Sequence, residues 1–172
     1  IKRINCRKVM IVTDAGLVKA GVLKKLENHL ELSGICYAVF DKVEADPRFE
    51  IAVNVSNEIK KQGADLVIGI GGGSPIDIAK IASVLALNTG DISSYFGIDL
   101  IPEPGLKTII IPTTAGTGSE VTPIVILSDH NEKLKKGIVS PFLFPDIAIL
   151  DPELTVGLPS HITAATGMDA LI

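Results

Sequence analysis

Residues 64–88 read ADLVIGIGGGSPIDIAKIASVLALN, and this stretch decides the fold of the chain. It begins with Leu66-Val67-Ile68, an apolar run that is typical of a strand buried on both faces. Four glycines follow within five positions, where the missing Cβ lets the backbone turn tightly and approach a ligand closely. The sequence then predicts a helix that has Ser74 as its N-cap and Pro75 at its first position.

The segment 69–74, called the glycine turn from here on, predicts a phosphate site. In a strand-turn-helix unit the unpaired N–H groups and the positive end of the helix dipole point at one place. The spacing Gly69-x-Gly71-x-x-Ser74 resembles the dinucleotide fingerprint, with serine in the last position. A tight turn whose glycines serve geometry alone is the alternative. Because four glycines exceed what a turn needs, the sequence favours a phosphate-containing ligand.

The composition excludes several functional classes. The chain has 172 residues, of which 47% are hydrophobic and 4% aromatic, a mixture that favours a parallel α/β sheet. Its net charge of −4, without a basic block, makes a nucleic-acid partner unexpected. No apolar run is long enough to span a membrane and no signal peptide is visible, so we expect a cytoplasmic protein without a membrane partner. Cys6 and Cys36 show no metal or redox spacing and are expected to be reduced.

The remaining patterns predict strands that alternate with helices in the first half of the chain. Further strands are predicted at 8–13, 35–40, 106–111, 124–127, 137–140 and 147–150. Helices are predicted at 17–32, from Asp46-Pro47 to Gly63, after Ser74, and from Ser160 or Ile162 onward. The repeated β-α order requires right-handed crossovers, and it predicts a Rossmann-like parallel sheet with helices on both faces. Because the last helix stops at Ile172 with nothing after it to pack on, we expect a fragment of a longer protein.

Asp14 follows the first strand, at the sheet edge where open α/β folds bind ligands. A carboxylate there would accept hydrogen bonds from the hydroxyls of an adenine ribose and repel a 2′-phosphate. It would serve equally well as the N-cap of the following helix. Position alone leaves both interpretations open.

Residues 113–122, called the threonine loop from here on, supply hydroxyl groups at the end of another strand. These hydroxyls and nearby N–H groups are suited to a pyrophosphate or a nicotinamide ring, and a solvated Ser/Thr/Gly loop is the alternative. Its position at the same sheet edge as the glycine turn favours ligand binding. Lys135 and Lys136 would add positive charge to such a site or form a solvated surface pair.

Other charged residues carry simpler interpretations. Asp77 and Lys80 lie three positions apart on the helix after the glycine turn, and we expect a charge near the helix cap and a surface ion pair. Asp169 is a lone acid on the last helix, without a metal-binding partner one turn further along. The three histidines, His29, His130 and His161, have no ligand spacing and receive no role.

Three long motifs stand in the chain: GGGSPIDIAK at 71–80, PTTAGTGSEVT at 112–122 and AATGMDAL at 164–171. Together they resemble the motifs of the iron-containing (group III) alcohol dehydrogenase family. Asp14, Tyr95-Phe96-Gly97 and Asp151-Pro152-Glu153-Leu154 fit the same pattern in the same order. The resemblance runs essentially from end to end of the chain.

This resemblance implies an NAD(P)-binding α/β domain at 1–158 and, at 159–172, the truncated start of an all-helical metal-binding domain. The family's segment before the first strand would be missing, as would the three histidines that complete the metal site after Ile172. Asp169 would be the first metal ligand, and Asp46 stands where members often have Asn. The residues that the resemblance assigns to the cofactor are Asp14, Gly72, Gly73, Ser74, Thr113, Thr114, Thr117, Thr122 and Lys135.

The implied activity is hydride transfer between an alcohol or aldehyde and NAD, with Asp14 favouring NAD over NADP. The implied metal is Fe²⁺, sometimes Zn²⁺, and the implied assembly is a homo-oligomer; no catalytic residue is assigned. Because one carboxylate cannot hold a catalytic metal, we expect the 172-residue chain to be inactive alone. Alternatives that remain open are a glycerol dehydrogenase-like or dehydroquinate synthase-like enzyme and a nucleotide-binding module without catalysis.

Overall fold

The described residues, 6–130 and 132–171, form eight strands and five α-helices in this computed structural model. The strands are β1 (Lys8–Val12), β2 (Cys36–Phe40), β3 (Leu66–Gly71), β4 (Gly97–Ile98), β5 (Lys107–Pro112), β6 (Ile124–Asp129), β7 (Leu134–Val139) and β8 (Ile147–Ala148). The helices are α1 (Ala15–Lys19), α2 (Leu23–Leu32), α3 (Phe49–Gln62), α4 (Gly73–Leu87) and α5 (Ser160–Leu171). The predicted alternation of strands and helices in the first half is confirmed.

Five strands form a parallel main sheet in the order β2-β1-β3-β5-β8. Strand β2 lies on one side of β1, and the chain then crosses to the other side of β1, where it forms β3. The carboxyl ends of β1 and β3 therefore lie side by side at the point where the strand order reverses. Open parallel sheets bind ligands at such a switch point.

Side chains of the main sheet alternate between two apolar cores, one on each face. Val9 and Ile11 pack on one face with the buried leucines of α2. Met10 and Val12 pack on the other face with the apolar residues of α3 and α4. The prediction of a Rossmann-like parallel sheet with helices on both faces is confirmed.

A second, smaller sheet has the strand order β4-β7-β6. Strands β6 and β7 form an antiparallel hairpin, and β4 lies parallel to β7. The hairpin strands were predicted, whereas β4 falls in a segment for which the sequence predicted no strand. Strand β6 packs against α4, so this sheet is attached to the helix that follows the glycine turn.

The prediction of a single helix at 17–32 is wrong, because the structure has two helices, α1 and α2, with a break between them. Gly21 has a φ of +74°, in the left-handed region that ends a helix, and α2 begins two residues later. At the end of α1 the N–H of Ala20 donates to the carbonyl of Gly16, and the N–H of Gly21 donates to the carbonyl of Val18.

Ser74 is also not the N-cap that the sequence predicted. The N-cap of α4 is Gly72, whose extended backbone (φ −77°, ψ −166°) places Ser74 inside the first turn. No side chain caps this end of the helix. The helix therefore begins directly at the glycine turn, which leaves its first N–H groups available to a ligand.

Helix α5 confirms the helix predicted near Ser160, and none of its described residues is buried. It approaches the threonine loop so closely that a side chain at Gly116 would collide with the carbonyl group of Thr166. Within the described residues, no helix combines the length and the apolar character required to cross a bilayer.

Candidate functional site

A cleft of about 450 Å³ opens at the switch point between β1 and β3. Three segments of the chain line it, each of which follows a strand of the main sheet. The lining residues are Asp14, Ala15, Gly16, Val43, Glu44, Ala45, Gly72, Gly73, Ser74 and Pro75. The structure thus brings four of the predicted cofactor residues, Asp14 and Gly72 to Ser74, to one cleft.

The floor of the cleft is the uncapped N-terminus of α4. The first N–H groups of a helix have no acceptor within it, and they lie at the positive end of the helix dipole. Because Gly72 provides no capping side chain, an anionic ligand is the natural partner for these groups. The geometry suits a phosphate or pyrophosphate.

Asp14 is the N-cap of α1, and its position also allows contact with a ligand in the cleft. Its Oδ1 accepts a hydrogen bond of 3.0 Å from the backbone N–H of Leu17, so the residue is the N-cap of α1. The same side chain lines the cleft. Gly16 leaves room for it, since a Cβ there would lie 2.9 Å from Asp14 Oδ1.

Sequence reasoning missed Glu44, a second carboxylate in the cleft wall. It forms an ion pair of 2.7 Å with Arg48 Nε, and the hydrogen bond from Arg48 holds the pKa of Glu44 below its usual range. Glu44 follows β2 at the edge where Asp14 follows β1. The positional argument that singled out Asp14 was therefore available for Glu44 as well.

Thr114 faces the glycine turn with a hydroxyl that is buried and has no hydrogen-bond partner among the described residues. That hydroxyl lies 3.5 Å from the position that a Cβ would occupy on Gly72. Thr13, the residue after β1, has a second buried hydroxyl in the same condition, and no sequence pattern pointed to it. Buried polar atoms are normally hydrogen-bonded, so each of these hydroxyls is a candidate for a ligand contact.

The rest of the threonine loop extends along the glycine turn. The N–H of Thr113 donates to the carbonyl of Gly71 over 2.8 Å and continues the pairing of β5 with β3. A Cβ on Gly73 would lie 3.2 Å from Thr117 Cγ2, so these segments are in close contact. Thr122 ends the short 3₁₀ turn at Ser119–Val121 and does not belong to the described cleft wall.

A second cleft, of about 410 Å³, lies on the other side of the threonine loop. Thr114, Gly116, Glu120 and Asp151 are among its lining residues. Thr114 is the predicted site residue that borders this cleft, and its buried hydroxyl lies next to Gly72 of the first. The threonine loop therefore lines a second open space, together with the segment that follows β8.

Lys135 is exposed on β7 and lies at the rim rather than in the wall of the first cleft. Its Nζ is 2.6 Å from Oδ1 of Asp46, the residue next to Ala45 of the cleft wall. Lys136 pairs instead with Asp129 and Glu132 at 2.8 and 2.9 Å. Hydrogen bonds from Lys136 to those carboxylates raise its pKa, and its role is to hold the β6–β7 hairpin.

The surface ion pair predicted for Asp77 and Lys80 is wrong. The side chain of Lys80 is fully buried, and that of Asp77 is 11% exposed. The second sheet and the threonine loop cover this side of α4, which the local sequence does not reveal.

Asp169 lies exposed on α5. In the part of the chain that the structure describes, no three His, Cys, Asp or Glu side chains come close enough to hold a metal ion. These residues do not form a metal site by themselves, and the assignment of Asp169 as a ligand stays a prediction.

The sequence profile of the iron-containing alcohol dehydrogenases matches residues 1–152. The chain belongs to this family. Among curated members it is 47% identical to the sulfoacetaldehyde reductase of Bilophila wadsworthia, over 100% of this chain and 44% of that protein. It is 37% identical to the NAD-dependent methanol dehydrogenase of Bacillus methanolicus, over 99% of this chain and 45% of that protein.

Solved structures of iron-containing alcohol dehydrogenases share the fold. A 1,3-propanediol oxidoreductase superposes with a TM-score of 0.94 at 38% identity, covering 99% of this chain and 44% of that one. The sulfoacetaldehyde reductase of Bifidobacterium kashiwanohense, solved with NAD⁺, gives a TM-score of 0.86 at 33% identity, covering 98% and 44%. The chain spans less than half the length of these relatives.

Proposed function

We propose that this chain is the nucleotide-binding part of an alcohol dehydrogenase that uses NAD. The observation that carries the proposal is the uncapped N-terminus of α4 at the switch-point cleft, faced by the buried and unpartnered hydroxyl of Thr114. A pyrophosphate supplies both the negative charge that the helix end favours and oxygens that accept a hydrogen bond from this hydroxyl.

In this proposal Gly72, Gly73 and Ser74 hold the pyrophosphate through their backbone N–H groups. Thr113, Thr114, Thr117 and Thr122 line the path toward the nicotinamide, and Lys135 contributes charge at the rim. The close contact between Thr117 and Gly73 supports placing the two segments in one site.

Asp14 is proposed to accept hydrogen bonds from the adenine ribose and to favour NAD over NADP. Glu44 adds a second carboxylate to the same cleft, although Arg48 partly neutralises it. A 2′-phosphate placed there would meet both negative charges, and like charges in a partly buried cleft repel one another.

The bound dinucleotide supplies the hydride acceptor or donor. The residues of this chain bind its phosphates, orient the ring through the threonine loop and restrict water at the sheet edge. An alcohol or aldehyde is the proposed substrate, and a sulfonated aldehyde is a specific candidate because of the 47% identity to a sulfoacetaldehyde reductase. The metal, proposed to be Fe²⁺, would need further ligands besides Asp169, so no reaction step is derived through it.

A cytoplasmic location and a homo-oligomeric assembly remain predictions. So does the division into a nucleotide-binding domain at 1–158 and a helical segment from 159 onward.

The test is a calorimetric titration of the complete protein that carries this sequence with NAD⁺ and NADP⁺. We expect saturable binding that prefers NAD⁺ in the native protein and a weaker preference in Asp14→Gly. Because Asp14 also caps α1, Asp14→Ser, which keeps a capping oxygen but no charge, separates the loss of charge from the loss of the cap. Absence of binding to either nucleotide would overturn the proposal.

A further inference from the structure

We propose that Lys80, assisted by Asp77, is an internal clamp that holds the threonine loop against the glycine turn and thereby positions both halves of the cofactor site. The inference rests on the proposed function only for its consequence, which is cofactor affinity. The clamp itself is a property of the fold. Both residues act through the loop, so they are positioning residues and not catalytic residues.

The Lys80 ammonium group is used entirely inside the protein. Its Nζ donates to the carbonyl of Ser119 over 3.0 Å and to the carbonyl of Ile124 over 2.7 Å. The Lys80 side chain has no exposed surface. A long cationic side chain is almost never buried so completely unless it is paired, which indicates a specific requirement at this position.

The two acceptors of Lys80 belong to the first residue of the 3₁₀ turn at Ser119–Val121 and to the first residue of β6. One ammonium group therefore holds both ends of the segment 119–124, which follows three of the predicted cofactor threonines and contains the fourth, Thr122. At the start of this segment, the Oγ of Ser119 lies 3.5 Å from the position of a Cβ on Gly73, and Thr117 Cγ2 lies 3.2 Å away. The clamp thus connects the body of α4 to a loop that contacts the N-terminus of the same helix.

Asp77 extends the clamp by one element. Its Oδ2 accepts a hydrogen bond of 2.9 Å from the backbone N–H of Ile126 in β6. Its Oδ1 lies 3.7 Å from Lys80 Nζ and has no hydrogen-bond partner among the described residues. The carboxylate therefore fixes β6 and balances the charge of the ammonium group at the same time.

A direct role of Lys80 at the phosphate is the competing interpretation, since lysines follow glycine-rich turns in other phosphate sites. The burial of Lys80 and the two carbonyl groups that it contacts argue against this role, because the ammonium group points into the protein and not into the described cleft. The clamp explains the lysine without a ligand.

The charges that act on Lys80 are few. Burial lowers the pKa of Lys80, and the negative charges of Asp77 on its own helix and of Glu120 in the 3₁₀ turn oppose this shift only in part. Burial likewise raises the pKa of Asp77, and the nearby ammonium group opposes that rise. Each group therefore offsets part of the effect of burial on the pKa of the other.

The decisive variant is Lys80→Met, which keeps the approximate shape of the side chain and removes the hydrogen bonds of its ammonium group. We expect faster amide hydrogen exchange at 119–126, with unchanged exchange in β1 and β3. We also expect about tenfold weaker NAD⁺ binding, because the loop would have to become ordered upon binding. Ile59→Val and Ile59→Ala, at a buried position of α3, are the controls. Their thermal unfolding and NAD⁺ affinity measure how far a general loss of stability weakens binding.

A second variant, Asp77→Asn, retains an oxygen for Ile126 but removes the counter-charge. As the pH is raised, the clamp is lost when the Lys80 ammonium group loses its proton. Without the carboxylate the pKa of Lys80 drops further, so we expect the NAD⁺ affinity of Asp77→Asn to fall at a lower pH than that of the native protein. This variant also tests the clamp if Lys80→Met fails to fold. A purely structural role would leave the pH profile unchanged.

The outcomes separate the two proposals. If the native protein binds neither nucleotide, the proposed function fails, and the exchange experiment still tests the clamp. If the native protein binds NAD⁺ and Lys80→Met matches it in affinity and in exchange at 119–126, the clamp is overturned. Equal losses of affinity in Lys80→Met and in an Ile59 variant of the same stability would overturn it as well.

Discussion

Gly69 lies inside β3 and faces helix α4, away from the cleft. A Cβ on this residue would lie 2.7 Å from the Cβ of Ala79 and 2.8 Å from Cδ1 of Ile110. Its role is therefore close packing between strand and helix. Gly72, by contrast, lies at the cleft, and its Cβ would be in ordinary contact with Thr114. The glycines that the sequence groups into one motif thus satisfy different physical requirements.

This difference predicts opposite results for two similar substitutions. Gly69→Ala should lower the free energy of unfolding by about 1–3 kcal/mol, because the added methyl overpacks the core. Gly72→Ala should leave that free energy nearly unchanged and weaken NAD⁺ binding, because its methyl stands where the ligand approaches. Urea unfolding and nucleotide titration of both variants check this. Equal effects of the two variants on stability would contradict it.

Asp65 fixes the start of β1 through its carboxylate. It accepts bonds of 3.1 Å from the backbone N–H groups of Arg7 and Lys8 and from the thiol of Cys6. Burial alone would raise the pKa of Asp65, but the bonds from Cys6, Lys8 and Arg7 outweigh it and bring this pKa to about 2. Partial burial, together with the same carboxylate, raises the pKa of Cys6 to about 12.

Because the pKa of Asp65 is lower in the folded state, its carboxylate stabilises the fold above about pH 4. That contribution is lost as the pH falls toward 2. We expect Asp65→Asn to be less stable than the native protein at pH 7 and to lose less stability between pH 4 and pH 2. Thermal unfolding across this range is the measurement, and the exposed Glu103→Gln is the control.

At the scale of helices and strands, the sequence predicted boundaries correctly where a local signal, such as a glycine, ends an element. Gly63 was predicted to close α3, and it does so in the left-handed region with a φ of +63°. The break at Gly21 was missed because the apolar positions Val18, Val22, Leu26 and Leu30 continue at helical spacing across it. Strand β4 was missed because two residues are too short for any period to be visible.

Gly63→Ala should therefore destabilise the protein by about 1 kcal/mol, the cost of a left-handed alanine. No atom lies within 4 Å of the added Cβ, so the effect comes from the backbone alone. Gly157→Ala is a matched control, since its Cβ is equally free and its φ is not positive. Denaturant unfolding of the pair measures the difference, and equal stabilities would refute the explanation.

At the scale of the whole molecule, the position of the site was predictable and its internal support was not. Parallel strands place their carboxyl ends at one edge, so Asp14, the glycine turn and the threonine loop were expected to meet. The burial of Lys80 depends on Ser119 and Ile124, which lie 39 and 44 positions away in sequence. No local pattern distinguishes such a lysine from a surface lysine.

We expect the 172-residue chain by itself to show no metal-dependent alcohol oxidation, because its described residues form no metal site. The measurement is NADH formation with a panel of alcohols and added Fe²⁺ or Zn²⁺. Circular dichroism and NAD⁺ binding of the same sample establish that the chain is folded. Turnover by a pure sample would contradict the prediction.

The distance in sequence between helix α4 and its cover also sets an order of events during synthesis. The glycine turn is complete at about residue 75, whereas the last partner of Asp77 is Ile126. At ribosomal speeds of about 5–20 residues per second, this interval lasts roughly 3–10 s. Until residues 119–126 are synthesised, Lys80 and Asp77 lack the backbone partners that they have in the fold. The glycine turn is therefore synthesised several seconds before the segment that Lys80 and Asp77 hold in the finished fold.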